Sequence, residues 1–219
     1  MHFDEVVNHS KPSLFLIENA NKVEDYAEVD LSATNLDAKG ISAANPVQLK
    51  LYLQAQQAAQ NAKVLFGGYL EKRNLYANSA LFNSNEIRNI HLGLDFWADA
   101  KTGITAPLNG TVQSAYYNEG EGNYGGTIIL KHQFKDFSFF SLYGHLSKAS
   151  LSVKIHSQIK KGDVFCYLGE THENGNYVPH LHFQWILNLP KNAKDYPGVC
   201  SATQLEDFVK NSPEPKLVL

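Results

Sequence analysis

The sequence is poor in cysteine, in excess positive charge and in long apolar runs, and each shortage argues against a class of protein. Cys166 and Cys200 are the only cysteines in 219 residues, so we expect two reduced structural thiols and no disulfide framework. A net charge of −3 and a pI near 6.3 provide no basic field for nucleic acid or for an anionic membrane. We therefore predict neither nucleic acid nor a membrane as a partner, and the sequence assigns no oligomeric state.

The amino-terminal residues do not have the pattern of a secretion signal. A basic segment followed by a long apolar core is missing there, and the longest apolar run, LFLI, is far too short to span a bilayer. As the sequence stands we expect a cytoplasmic protein, or a periplasmic or secreted one if a leader has been removed.

Turn signals and apolar periodicity divide the chain into two parts. Asn45 can cap a helix with Pro46 in its first turn, and apolar residues at helical spacing extend it over about residues 46–64. Residues 1–64 are therefore predicted as an N-terminal extension with this one helix. Residues 65–219 are predicted as the main domain.

The main domain consists of short extended segments that alternate with turns rich in Gly, Asn and Pro. This pattern predicts a mainly β protein, an antiparallel β-sheet or sandwich with an N-terminal helical extension. A short helix from Ser201 to Lys210 is expected near the carboxyl end.

Two of the extended segments, HLGLDFWA and HLHFQWIL, each combine an apolar face with a face that carries histidine. Successive side chains of a strand point to opposite faces of the sheet. His91 and Asp95 therefore share one face of the first segment, and His180 and His182 share one face of the second.

A third extended segment, FFSLYGHLS, contributes another histidine. The same alternation places Ser141, Tyr143 and His145 on one face of that strand. We expect His145 to face a common groove together with the four residues of the other two strands.

The residue types in this groove suit a metal ion. Two histidines and one carboxylate form a recurrent catalytic zinc set, because three protein ligands leave a fourth position open for water. With His91, Asp95, His180 and His182 available, either all four bind and close the site, or three bind and the spare histidine transfers protons. Two histidines and a carboxylate also describe non-heme iron oxygenases, so the residues alone leave these alternatives open.

Six segments between about Asn89 and Leu187 resemble, in order, the motifs of the lysostaphin-type zinc metallopeptidases, whose fold is the duplicated hybrid motif. In this sequence they read HLGLD, APLNGTV, IILKH, LYGHLS, QIKKGDVFCYLG and PHLHFQ. The resemblance implies a sheet of that type in residues 65–219, with Zn²⁺ as cofactor.

The resemblance also implies a role for each residue of the groove. His91, Asp95 and His182 correspond to the zinc ligands of the family. His145 and His180 correspond to catalytic residues beside the open position, where they position or deprotonate water and stabilise the oxyanion.

The function implied is a zinc metalloendopeptidase of cell-wall (peptidoglycan) peptides, in which zinc-activated water attacks a peptide carbonyl. The substrate expected is a peptide or a peptidoglycan fragment. Because the sequence has no HExxH motif, the base is not the glutamate of the commoner zinc peptidases.

The flanks YLEKRNLYANSALF and DYPGV look more like a branch of the family fused to phosphotransferase and aminotransferase domains. That likeness suggests an alternative function. The protein would then be a cytoplasmic zinc hydrolase, or a zinc-binding module, with a non-murein substrate. The loop THENGNYVPH is also bulkier than is usual in the family, which would reshape the substrate groove.

Overall fold

A computed structural model describes residues 3–13, 15–74 and 87–215, and strands dominate these residues. The strands are β1 Tyr26–Glu28, β2 Val64–Gly67, β3 Ile90–His91, β4 Leu94–Trp97, β5 Gly103–Thr105, β6 Gly110–Asn118, β7 Gly125–Phe134, β8 Phe137–Leu146, β9 Gln158–Ile159, β10 Val164–Tyr167, β11 His180–Ile186 and β12 Val199–Cys200. The α-helices are α1 Phe3–Ser10, α2 Ala33–Ala38, α3 Pro46–Gln60 and α4 Leu205–Asn211, and 3₁₀-helices cover Val23–Asp25 and Lys148–Ser152. The mainly β architecture predicted from the sequence is confirmed.

Eight of these strands form one large sheet in the order β1-β2-β4-β11-β8-β7-β6-β9. The β1–β2 pair is parallel, and the other pairs of the sheet are antiparallel. Two small sheets pair β5 with β10 and β3 with β12. Since β11 lies between β4 and β8, its side chains neighbour residues from both of these strands.

The main core packs against the apolar face of the large sheet. Strand β11 contributes Leu181, Phe183 and Trp185 to this core, and β4 contributes Leu94 and Phe96. Side chains alternate along both strands, so the histidines of β11 and the aspartate of β4 lie opposite the core. The face assignment predicted for these two strands is confirmed.

Helix α3 begins where the sequence predicts and ends earlier. The side-chain oxygen of Asn45 accepts hydrogen bonds from two amides of the first turn, which also contains Pro46. The helix ends at Gln60 because Asn61 adopts a left-handed conformation with φ of 50°, and β2 then begins at Val64. The predicted end at residue 64 is therefore wrong by one turn.

Helix α4 is shorter than its prediction. It begins at Leu205 rather than at Ser201, because the amide of Gln204 donates to the carbonyl of Ser201 in a turn that precedes the helix. Of the helices in the described residues, none is both long enough and apolar enough to cross a membrane.

The N-terminal extension is more structured than predicted. It contains α1, α2 and β1 in addition to the one helix expected, since these elements are too short to show a clear period in the sequence. Val6, Leu16 and Ile17 are buried in the same core as β4 and β11. The boundary after residue 64 stays a prediction, and core contacts cross it.

The segment HLGLDFWA is not one continuous strand. It is divided into β3 and β4, which belong to different sheets, with Leu92 and Gly93 between them. A Cβ atom on Gly93 would lie 2.6 Å from a ring carbon of His182, so the chain turns where only glycine fits. His91 and Asp95 nevertheless reach the same site.

Strand β8 contains a bulge that the sequence analysis did not foresee. Gly126 pairs with Leu146 but Ile128 pairs with Tyr143, which leaves one extra residue on β8. His145 lies in this extra stretch with φ of 63°. The prediction that Ser141 and Tyr143 share the face of His145 is therefore wrong.

The two displaced side chains are part of the interior instead. The hydroxyl oxygen of Ser141 lies 2.7 Å from Nε2 of His132 and 3.0 Å from the hydroxyl of Tyr143, and all three residues are buried. Burial also lowers the pKa of His132 to about 4, so this histidine is a neutral residue of the core.

The shared core predicts that the extension stabilises the whole sheet. Leu16 is fully buried, so Leu16→Ala should lower the free energy of unfolding by about 2–5 kcal/mol through the cavity it leaves. Leu51 on α3 is 62% exposed, and Leu51→Ala should change it by less than about 0.5 kcal/mol. Urea unfolding of both variants measures the difference, and equal losses would contradict the shared core.

Candidate active site

Strand pairing brings the predicted site residues together. In the register of β11 with β4, His180 lies opposite Trp97 and His182 lies opposite Asp95. On its other side β11 pairs His182 with Gly144, next to His145. Neighbouring strands of a sheet are about 4.8 Å apart, so side chains at matched positions on one face are in contact.

Three ligand atoms form a small triangle in the interior. Nε2 of His91 lies 2.8 Å from Nδ1 of His182, and Oδ1 of Asp95 lies 3.2 Å from each of these nitrogens. A tetrahedral Zn²⁺ with bonds of about 2.0–2.1 Å keeps its ligand atoms about 3.3 Å apart. The three residues are at most 2% exposed, and they form a group that could hold a metal ion.

Hydrogen bonds at the back of each imidazole fix its tautomer. Nδ1 of His91 donates to the carbonyl oxygen of Gly68 at 2.9 Å, which leaves Nε2 as the unprotonated nitrogen. Nε2 of His182 donates to Oε1 of Gln184 at 3.0 Å, which leaves Nδ1 unprotonated. The amide nitrogen of Gln184 is the donor to Pro197 and Ser212, so its oxygen is the end that faces His182.

In the neutral tautomers that these hydrogen bonds select, the triangle is a set of three acceptors. Burial has the largest effect on the pKa of His91 and lowers it to about 4, so this imidazole is neutral at pH 7. Burial alone would raise the pKa of Asp95, but His91 and Arg73 hold it well below its usual range. Three lone pairs about 3 Å apart repel one another unless a cation lies between them, so the donor set fits Zn²⁺.

His145 and His180 adjoin the triangle without being part of it. Their ring centroids are 4.2 Å apart, and Nε2 of His180 lies 4.0 Å from Oδ2 of Asp95. Nδ1 of His145 donates to the carbonyl of Asn174, and Nδ1 of His180 donates to that of Val178. Burial lowers the pKa of both histidines, so each is neutral and keeps Nε2 free to accept a proton.

The five residues line a cavity of about 260 Å³. Leu49 of α3 forms part of its wall, together with Trp97, whose ring stacks on His180 at a centroid distance of 5.8 Å. Tyr177 and Val178, from the bulky loop THENGNYVPH, line the same cavity. The N-terminal extension and this loop therefore both shape the space in which a substrate would lie.

Arg73, Gln184 and Gly68 also contact the site, and the sequence analysis assigned none of them a role. Nη1 of Arg73 donates to Oδ2 of Asp95 at 2.5 Å. Gln184 occurs on the histidine face of β11, which is a signal that could have been used. Arg73 and Gly68 lie in a segment without periodicity, where the sequence offers no comparable signal.

Comparison with known proteins finds a family model that matches part of the chain. Residues 89–193 match the model described as Peptidase family M23. Over these residues the chain is similar to the M23 peptidases. All five groove residues lie within the matched M23 residues, whereas Arg73 and Gly68 lie outside them.

Two curated proteins with descriptive names are similar to part of the chain. A Haemophilus influenzae protein described as an uncharacterized metalloprotease is 34% identical over 99 residues, which are 45% of this chain and 19% of the relative. The peptidoglycan DD-endopeptidase ShyC of Vibrio cholerae is 30% identical over 128 residues, which are 56% of this chain and 27% of the relative. The chain thus spans about a fifth and about a quarter of the lengths of these relatives.

Among solved structures, the catalytic domain of the peptidase lysostaphin from Staphylococcus simulans is similar to the chain at 22% identity and a TM-score of 0.41. The match covers 69% of this chain and 96% of that domain.

Gly93 provides a test of the geometry around His182. A Cβ atom there would lie 2.6 Å from the His182 ring and 2.7 Å from the Phe183 carbonyl oxygen. We expect Gly93→Ala to displace the ring and weaken Zn²⁺ binding by about tenfold or more, measured by competition with a chelator. Gly40→Ala is the control, since it strains a left-handed residue with open space around it. Equal Zn²⁺ affinities in the two variants would contradict this role of Gly93.

Proposed function

We propose that the protein is a zinc-dependent hydrolase of peptide bonds, a metalloendopeptidase. His91, Asp95 and His182 hold the ion, and His145 and His180 are the catalytic residues. The observation that carries the proposal is the convergence of three unprotonated acceptors beside two neutral histidines. The M23 domain match supports the same chemistry.

A bound Zn²⁺ would supply Lewis acidity, which polarises a carbonyl and makes water a stronger acid. Nε2 of His180 is the group that takes the proton from the attacking water, because it is unprotonated and close to the ligand carboxylate. Once protonated, the same nitrogen can donate to the leaving amine. His145, in the bulge of β8, lies beside His180, and its Nε2 orients the reacting groups.

Side chains around the pair keep these nitrogens in place. Trp97 stacks on the His180 ring at an interplanar angle of 22°, and Tyr177 contacts His145 edge-on. The two histidines are 6–7% exposed and line the cavity.

The substrate class that we propose is a peptide of cell-wall peptidoglycan. Two observations support this substrate class. A similar protein is named a peptidoglycan DD-endopeptidase, and the motifs of the chain resemble those of lysostaphin-type enzymes. A second candidate is a short non-murein peptide, because the residues Leu49, Tyr177 and Val178 that line the cavity come from the N-terminal extension and from the bulky loop THENGNYVPH.

A cleavage screen tests the proposal. Zinc-loaded protein should release new amines from cross-linked muropeptides or from short D-Ala and Gly-Gly peptides, and a parallel set of non-murein peptides separates the two substrate classes. His145→Ala should lower the turnover by about 10²- to 10⁴-fold, since a positioned proton-transfer group is lost. Cleavage of none of these peptides would contradict the proposal, as would equal turnover in both proteins. Iron in protein purified without added metal, with oxygen-dependent turnover, would favour an oxygenase.

The two histidines of β11 should respond differently to substitution. His182→Ala should lose Zn²⁺ and some thermal stability, because metal affinity is coupled to the fold of the strands that supply the ligands. His180→Ala should retain Zn²⁺ and lose turnover. Metal analysis, thermal unfolding and peptide cleavage distinguish the variants, and equal metal loss in both would rule out this division of roles.

A further inference from the structure

A buried ion-pair chain adjoins the metal triangle and reaches the N-terminal extension. Arg73 is 1% exposed, and its Nη1 donates to Oδ2 of Asp95 while its Nε donates to Oε2 of Glu71. We propose that Arg73 is a positioning residue that makes Asp95 a one-oxygen metal ligand, and that the extension holds Arg73 in place through Glu71.

The two oxygens of Asp95 have different surroundings. Oδ2 accepts the hydrogen bond from Arg73. Oδ1 is fully buried, has no hydrogen-bond partner among the described residues, and faces both ligand nitrogens at 3.2 Å. Because the guanidinium holds Oδ2 on its own side, an ion between the two nitrogens would meet Oδ1. One-oxygen binding keeps the fourth position of a tetrahedral ion open for water.

The shape of the guanidinium matters as much as its charge. Arginine is always protonated and presents several N–H donors in one plane, so it can contact Glu71 and Asp95 at once. A lysine at position 73 would keep the charge but would offer a single nitrogen. Charge and geometry can therefore be separated by substitution.

Gly68 provides the space for this guanidinium. A Cβ atom on Gly68 would lie 1.9 Å from Nη2 of Arg73, and the residue has φ of 104°. The carbonyl of the same glycine accepts the hydrogen bond that fixes His91. One backbone position therefore accommodates Arg73 and orients a ligand.

The extension reaches Arg73 through its neighbours in the chain. Oε1 of Glu71 accepts from the amide of Leu31 at 2.8 Å, and the amide of Ala33 donates to the carbonyl of Lys72 at 2.8 Å. On the other side, the amide of His91 donates to the carbonyl of Glu71 at 3.0 Å. Residues 71–73 thus connect the extension to the strand that carries the first ligand.

The inference rests on the proposed metal site and is tested without peptide cleavage. Arg73→Met should weaken Zn²⁺ binding by about 10- to 100-fold, measured by competition with a chelator, because Asp95 is no longer held in one orientation. The visible absorption of the Co²⁺-loaded variant should fall, as expected when the freed carboxylate adds a second oxygen to the ion. Arg73→Lys should give an intermediate loss of affinity.

Lys72→Met is the matched control, because it removes one positive charge from an exposed neighbour. It should leave the affinity and the Co²⁺ spectrum unchanged. If the Arg73→Met variant binds Zn²⁺ as tightly as the wild type, or more tightly, the inference is overturned. Loss of the positive charge that repels the ion would by itself strengthen binding, so only loss of the positioning role predicts weaker binding. A loss equal to that of Lys72→Met would also overturn it.

Two further outcomes are covered by the same measurements. If Arg73→Met does not fold, the Arg73→Lys and Glu71→Gln variants test the inference instead. Wild-type Zn²⁺ affinity and a wild-type Co²⁺ spectrum in both variants would overturn it. If the wild-type protein itself binds no Zn²⁺, the proposed function fails and this inference fails with it. If the wild-type protein binds Zn²⁺ and the variants bind it equally well, this inference fails and the proposed function stands.

Discussion

The structure of the site depends on one electrostatic constraint, the repulsion among three buried acceptor atoms that converge at the cavity. His91, Asp95 and His182 direct lone pairs at one another across about 3 Å, and each is prevented from turning away by a partner behind it. The partners are a backbone carbonyl, a guanidinium and a carboxamide, supplied by Gly68, Arg73 and Gln184. An arrangement that is unfavourable on its own is thereby held ready for a cation.

The sheet explains how such an arrangement is held. Strand β11 carries a ligand on one face and large apolar side chains on the other, so the packing of Phe183 and Trp185 fixes the height of His182. Register with β4 and β8 then determines its neighbours. A shift of one residue would exchange the two faces, which would bury apolar side chains in the cavity and histidines in the core. The core therefore enforces the geometry of the site.

The sequence predicts those parts of the fold and site that depend on local periodicity. Alternation along β4 and β11 correctly separates the core residues from Asp95 and the histidine pair, because both strands have one buried apolar face. The same rule failed on β8, where a bulge changes the parity at His145. The contact of Arg73 with Asp95 could not be predicted either, since it joins residues that no periodic pattern relates. The roles assigned to the five groove residues stay predictions.

The pairing of β2 with β4 has a consequence for where the chain can be divided. The M23 match begins at residue 89, yet the outer side of β4 is hydrogen-bonded to β2 at residues 64–67. A fragment cut to the matched residues would present the backbone amides and carbonyls of β4 along an open flank, next to Phe96 and Trp97. Unpaired flanks of this kind recruit strands from other molecules. The segment before the matched residues thus covers this flank of β4 with β2.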